Sequence, residues 1–231
     1  MRTARGIPVY DHKGRGAKNE GRGKVLKEGD PSPLVRRLGL SDYESTWLRM
    51  RDFTLGRTAS TPDELWQVEH PPIYTLGVAA KSEHLPRVEN GIPVLKTDRG
   101  GQITYHGPGQ IVVYTLLDLR RRNLGVRALV RRLEQAVIEL LKDYGIEANA
   151  RQDAPGVYVE QAKVAALGLR VRNGCCYHGL SLNVDMDLNP FRNINPCGYP
   201  NLEVTQLRDL GISDPLASVA DGLLDKLVSG I

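Results

Sequence analysis

The chain has 231 residues, 41% of them hydrophobic and 25% charged, enough for one α/β domain with a full core. That balance suits an ordinary globular protein, and no apolar run approaches the roughly 20 residues needed to cross a bilayer. The net charge of +4 belongs to residues 1–31, which hold eight Lys/Arg against four Asp/Glu, while the remainder carries 23 of each. A neutral body with 6% aromatic residues and no visible stacking motif argues against nucleic acid or a membrane surface as the partner.

Residues 1–31 are rich in Gly and Lys/Arg and poor in apolar residues. Such a segment cannot bury enough surface to order itself, so it reads as a basic, disordered N-terminal extension ahead of a single domain over 32–231. The opening residues lack the apolar stretch of a secretory signal, and the expected compartment is the cytoplasm. Ser41-Asp42-Tyr43-Glu44 has the pattern of a capping box, with Ser41 capping a helix from about Asp42 to Leu55. Thr61-Pro62-Asp63-Glu64 reads as a second, shorter turn of helix. Short β-rich runs follow at Leu65–Glu69, Ile73–Leu76, Pro93–Thr97, Gly101–His106 and Ile111–Leu119. Val126, Leu129, Val130, Leu133, Val137, Leu140 and Leu141 recur at helical spacing, and Gly145 supplies the stop. A hairpin is expected from Gly156–Val159 and Lys163–Val171, then a strand over Tyr177–Val184. Asp187–Thr205 reads as loop, broken by Asn189-Pro190 and Asn195-Pro196, and a last helix starts near Asp214-Pro215. Many strands with few helices predict an α+β fold with a mixed, largely antiparallel sheet flanked by helices.

The chemistry concentrates in a few places. Asp98–Gln110 packs four glycines with Arg99, Thr104 and His106 between two strands, a composition that lets backbone approach a ligand. It matches neither the Walker loop nor the dinucleotide fingerprint. The three cysteines, Cys175, Cys176 and Cys197, form no disulfide framework and no Cys-x-x-Cys zinc pair. Cys175 and Cys176 open an alternating strand, where burial is expected. Cys197 lies between Pro196 and Gly198, a loop setting that suits an accessible thiol. A thiol needs help to ionise, and Lys163, beside the apolar run Val164–Gly168, is one source. Spacing alone leaves Lys163 as an ordinary solvent-facing hairpin residue. A pocket position, where desolvation lowers its pKa, is the alternative. His106 and His178 would each suit a Cys–His pair, although a strand histidine is more often structural.

Five runs carry a resemblance: Asp98–Gln110, Ala154-Pro-Gly-Val-Tyr158, Lys163–Arg170, His178-Gly-Leu-Ser-Leu-Asn183 and Asn195-Pro-Cys-Gly-Tyr199. Their order and spacing, over about Leu34 to Thr205, resemble the octanoyl-[acyl-carrier-protein]:protein octanoyltransferases that begin lipoate assembly. The resemblance implies the biotin/lipoate protein ligase catalytic fold. It also implies a thioester on Cys197, with Lys163 as its proton partner. Arg99, Gly100, Gly101, Gln102, Ile103, Thr104, Tyr105 and His106 would bind the acyl group with Ala166, Leu167, Gly168, Gly179, Leu180 and Ser181. The implied donor is octanoyl-acyl carrier protein. The implied acceptors are lipoyl domains of 2-oxoacid dehydrogenase subunits and the glycine cleavage H protein. No cofactor or metal is implied, because a thioester is already activated. The rival readings are an ATP-dependent lipoate or biotin protein ligase on the same fold, and a non-enzymatic acyl-binding protein.

Overall fold

Strand β6 (Gln110–Asp118) runs through the middle of the protein, and its sequence QIVVYTLLD shows why. Side chains alternate between the two faces of a strand, and here both sets are apolar. Ile111, Val113 and Leu117 join the core under two helices, whereas Val112, Tyr114 and Leu116 join a second core under another helix. A strand covered on both faces reads as a continuous apolar run.

The computed structural model describes residues 32–81, 85–86, 89–194 and 202–231. Residues 1–31 and 195–201, and with them Cys197 and the N-terminal extension, lie outside the described residues. Ser32–Ile231 is one compact unit. Around β6 lie β1 (Leu34–Leu40), β2 (Glu64–Glu69), β7 (Asn149–Ala150), β8 (Gly156–Val159), β9 (Ala162–Arg172) and β10 (Cys175–Asn183). They form one sheet in the order β1-β2-β6-β10-β9-β8-β7. Only β1–β2 is parallel among these pairs. A smaller sheet, β4-β3-β5, joins β3 (Ile73–Leu76), β4 (Val94–Lys96) and β5 (Ile103–His106).

Helix α2 (Val126–Asp143) and helix α4 (Leu216–Gly230) cover one face, burying Leu129, Leu133, Val137, Leu140, Val219, Leu223 and Leu227. Gly145, at φ 75°, ends the chain's exit from α2, a conformation that glycine adopts without a Cβ penalty. Helix α1 (Tyr43–Leu55) covers the other face with Tyr43 and Met50. Its cap is Asp42, which accepts from the Ser45 amide at 2.8 Å, while the Ser41 hydroxyl turns back to the Leu38 carbonyl. The cap therefore sits one residue later than the capping-box pattern suggests. The mixed sheet flanked by helices is the α+β class that the strand spacing predicts.

Two segments depart from the sequence expectation. Pro62 and Asp63 do not open a helical turn; Glu64 begins β2, paired on both sides with β1 and β6. Long-range contacts override the local signal. The Asp63 carboxylate accepts from Arg57, from Arg121 at 2.7 Å, from Arg122 at 2.5 Å and from the Asp118 amide at 2.8 Å. Burial pushes the Asp63 pKa up, but these donors outweigh it and hold the carboxyl below its ordinary value. The second departure is Asn189–Arg192, expected as loop, which forms the short helix α3 with proline in its first turn. Removing one member of a buried ion cluster costs about 3–5 kcal/mol. Asp63→Ala should lower the unfolding free energy by about that amount in urea titrations, because it strands the buried Arg57 guanidinium.

Candidate active site

The site grows from a register. Strands β9 and β10 pair so that Gly168 faces Gly179, Leu167 faces Leu180 and Ala166 faces Ser181. Two runs distant in the chain thereby meet as neighbours. A Cβ on Gly179 would strike the Val113 carbonyl of β6, so the strands approach closely only with glycine there. The glycine-rich segment crosses over them. The Gly100 amide donates to the Leu169 carbonyl at 2.9 Å, and a Cβ on Gly168 would lie 3.0 Å from the Gly100 oxygen.

Between these segments is a narrow cavity of about 50 Å³. Arg99, Gly101, Gln102, Ile103, Thr104, His106, Ala166, Leu167, Gly168, Gly179, Leu180 and Ser181 all line it. Gly100 and Tyr105 do not line it. Gly100 backs onto β9, and Tyr105 packs edge-on against Phe191 at 5.5 Å. Arg99 is turned inward, donating to the Thr75 hydroxyl at 3.0 Å and to the Thr75 and Gln102 carbonyls, both at 2.6 Å. Its guanidinium pins the loop to β3. The sequence reading missed Tyr43, Val112, Tyr114 and His178 as lining residues. Tyr43 belongs to a helix remote in sequence, and no local pattern marks it.

Buried imidazoles stand in and behind the cavity wall, His106 and His178 lining it and His70 lying behind Tyr114. The Nδ1 of His70 lies 2.6 Å from the Ser41 carbonyl and its Nε2 2.7 Å from the Tyr114 hydroxyl. His106 Nδ1 lies 2.7 Å from Gln110 Oε1, and Gln110 continues to Asn183 at 2.9 Å. Burial lowers the His70 pKa to about 4 and that of His106 to about 3. His178 is held at φ 61°, a costly conformation for a bulky residue, with Nε2 3.0 Å from Asp98. Asp98 also accepts from Tyr177 and from Trp47 Nε1. Burial opposes the Asp98 charge, but these three donors hold its carboxyl well below the usual carboxylate range.

A second, smaller cavity shares Thr104, Ala166 and Ser181 with the first and reaches Lys163, Asn183, Phe191 and Val204. Lys163 is 3% exposed, so it is not the solvent-facing residue that its spacing suggests. Its Nζ donates to the Pro155 carbonyl at 3.2 Å and lies 5.1 Å from the Tyr158 ring centroid. The run Ala154–Tyr158 thus has a physical reading. Pro155 accepts from the ammonium, Tyr158 faces it, and Gly156 makes room, since a Cβ there would lie 2.9 Å from Lys163 Cε. The Glu134 carboxylate, which accepts from the Gly156 amide at 3.0 Å, adds an opposite charge nearby. Backbone bonds from Lys163 to Glu203 and Thr205 tie β9 to the segment after residue 201. Ile194 is buried on the other side of that gap. Cys175 and Cys176 are free and buried, as their strand setting suggests.

The histidines give the site a pH signature. His70, His106 and His178 all have folded-state pKa values below 6.5, so the unfolded chain binds more protons below that value. Their contribution is complete above pH 6.5 and is lost as pH falls toward the folded values. Near pH 5, before carboxylates titrate, unfolding should take up about two to three protons. The slope of urea unfolding free energy against pH measures this. A slope near zero between pH 5 and 6 would show that these imidazoles are not buried neutral.

The same architecture recurs in solved structures at low sequence identity. Lipoate-protein ligase A bound with ATP gives a TM-score of 0.70 at 14% identity, covering 86% of this chain and 85% of that one. A biotin protein ligase from Aquifex aeolicus with biotin and ATP gives 0.55 at 14%, covering 85% and 69%. These likenesses concern the fold. Sequence relatives are much nearer. An octanoyltransferase from Laribacter hongkongensis is 63% identical over 193 residues, 84% of this chain and 93% of the relative. One from Thiobacillus denitrificans is 59% identical over 207 residues, 90% and 94%. Residues 42–227 match the lipoyl protein ligase A/B catalytic domain. The buried lysine and its glycine-lined cavity thus sit in a chain that belongs to the lipoyl protein ligase A/B catalytic family.

Proposed function

We propose that the chain transfers an octanoyl (or lipoyl) group from acyl carrier protein to a lysine of lipoyl-domain proteins, through a thioester on Cys197. The acceptors on this reading are the lipoyl domains of 2-oxoacid dehydrogenase subunits and the glycine cleavage H protein. The compartment is the cytoplasm, a reading supported by the free thiols of Cys175 and Cys176. The observation that carries the proposal is the buried Lys163 ammonium, at the end of an apolar cavity whose lining joins the matched motifs.

The steps follow from that placement. Lys163 Nζ takes the Cys197 thiol proton and becomes the buried ammonium, and the thiolate attacks the carrier thioester. The carrier thiolate departs and takes the proton from Lys163. One thioester replaces another, so this step is nearly balanced. The acceptor amine then attacks the Cys197 thioester. An amide forms, the C–S bond breaks, and Lys163 relays the amine proton to the Cys197 sulfur. Amide formation from a thioester runs downhill, and neither step consumes ATP. The pair titrates as a unit, and a positioned base contributes about 10²–10⁴-fold. The acyl tail lies along Leu167, Leu180, Ile103 and Val112.

A second reading, ATP-dependent ligation, is favoured by the fold shared with ATP-bound ligases. It separates cleanly by experiment. Octanoyl transfer from the carrier should be indifferent to ATP and magnesium. Octanoate-dependent exchange of labelled pyrophosphate into ATP would establish the ligase instead.

Lys163→Arg keeps the charge but cannot release a proton at working pH. Self-acylation of Cys197 should survive at reduced rate in this variant, while delivery to a lipoyl domain should fall about 100-fold or more. Lys163→Ala should lose both steps. Intact-mass time courses follow each step, with Cys197→Ala as the control that forms no adduct. Wild-type delivery by Lys163→Arg would remove the base role, and an adduct on Cys176 in Cys197→Ala would remove the assigned nucleophile.

A further inference from the structure

Outside the cavity, a groove runs between α2 and the β7–β8 region. Val126, Arg127, Val130, Arg131, Glu134, Ala150, Arg151, Gln152 and Pro155 line it, with about 720 Å³ of open space. Three arginines face one carboxylate. That carboxylate, Glu134, is buried, turned inward onto the Gly156 amide, and its pKa is raised by desolvation. The groove is therefore positive in effect.

Two features set Arg127 and Arg131 apart from Arg151, which already donates to the Gln161 side-chain oxygen. Neither Arg127 nor Arg131 forms a hydrogen bond or ion pair among the described residues, and Arg131 meets Glu134 only through its Coulombic pull. They stand four residues apart on one helix, in its first half. Like charges at that spacing repel, and a cation near a helix start is also unfavourable. An anionic partner would reverse both terms. Arg151 lies at the opposite wall, its guanidinium 4.5 Å from the Tyr158 ring centroid. The same ring faces Lys163 Nζ, and Pro155, which lines the groove, accepts from that Nζ. Pro155 thus belongs both to the groove wall and to the surroundings of Lys163.

Resting on the function proposed above, we infer that this groove docks the acyl donor, an acidic carrier protein that presents its thioester on a phosphodiester-linked arm. Arginine suits both demands, because its planar fork pairs with carboxylates and with phosphate oxygens. The acceptor approaches elsewhere. Docking at Arg127, Arg131 and Arg151 would place the carrier beside Pro155, whose carbonyl accepts from Lys163 Nζ. Such steering acts on encounter and is screened by salt.

The test is the double variant Arg127→Glu/Arg131→Glu in the full chain, with Arg127→Lys/Arg131→Lys beside it. Three quantities are read: binding of octanoylated carrier protein by calorimetry, KM for that donor, and KM for the lipoyl-domain acceptor. A small octanoyl thioester without carrier or phosphate serves as the second donor. Carrier binding and KM should worsen about tenfold or more in the glutamate variant, and the lysine variant should recover most of the loss. Use of the small thioester and the acceptor KM should stay within about twofold, and the wild-type salt dependence of carrier KM should flatten. An unchanged carrier affinity overturns the inference. A rise confined to acceptor KM also overturns it and assigns the groove to the lipoyl domain. If wild type transfers from neither donor, the proposed function fails, while the binding measurement still decides the groove.

Discussion

An ammonium group almost fully withdrawn from water is the constraint around which this protein is arranged. Burying an unpaired charge costs many times the net stability of a domain, so Lys163 needs compensation from every direction. The Pro155 carbonyl, the Tyr158 ring and the Glu134 carboxylate supply part of it. Each brings a further requirement. Gly156 must lack a side chain, Glu134 must be held by a backbone amide, and β9 must run beside the segment that resumes after residue 201.

Close backbone approach is the second requirement, and it shapes the cavity. Gly100, Gly168 and Gly179 allow the loop, β9, β10 and β6 to come within reach of one another. Bulkier residues would separate these layers and open the cavity to water. Arg99 then fastens the loop from beneath with four hydrogen bonds to protein oxygens. Arg99, which the resemblance implies as an acyl-binding residue, lines the cavity and also serves as a strut. The imidazoles in and behind the cavity wall stay neutral for the same reason that the acyl tail would be comfortable there, namely the low polarity of the surroundings.

The fold alone does not select the reaction. Ligases bound to ATP share the architecture at 14% identity, so the chemistry follows from what is placed on it. In this chain the thioester reading depends on a thiol, a buried lysine and an apolar cavity, and the donor reading depends on a basic groove whose wall includes Pro155, the acceptor of that lysine's hydrogen bond. The lysine, the cavity lining and the groove draw on β8, β9, β10 and α2, which are separated in sequence.

Much of this was legible in the amino-acid order. The leucine repeat of α2, the stop at Gly145, the limits of β3 and β8, and the α+β class all follow from local periodicity and turn chemistry. The five motif runs pointed to the family and to most of the cavity lining. Other features depended on contacts between distant segments. Edge strand β1 has little buried face, so it leaves no alternating pattern, and only its pairing with β2 defines it. Asp63 carries a helix-start signal locally, yet three arginines and a paired strand claim it. Lys163 looks solvent-facing beside its turn, and its burial exists only because Pro155, Gly156 and Tyr158 fold over it. Periodicity records what one segment can do alone, whereas burial and charge pairing depend on which segments the chain brings together.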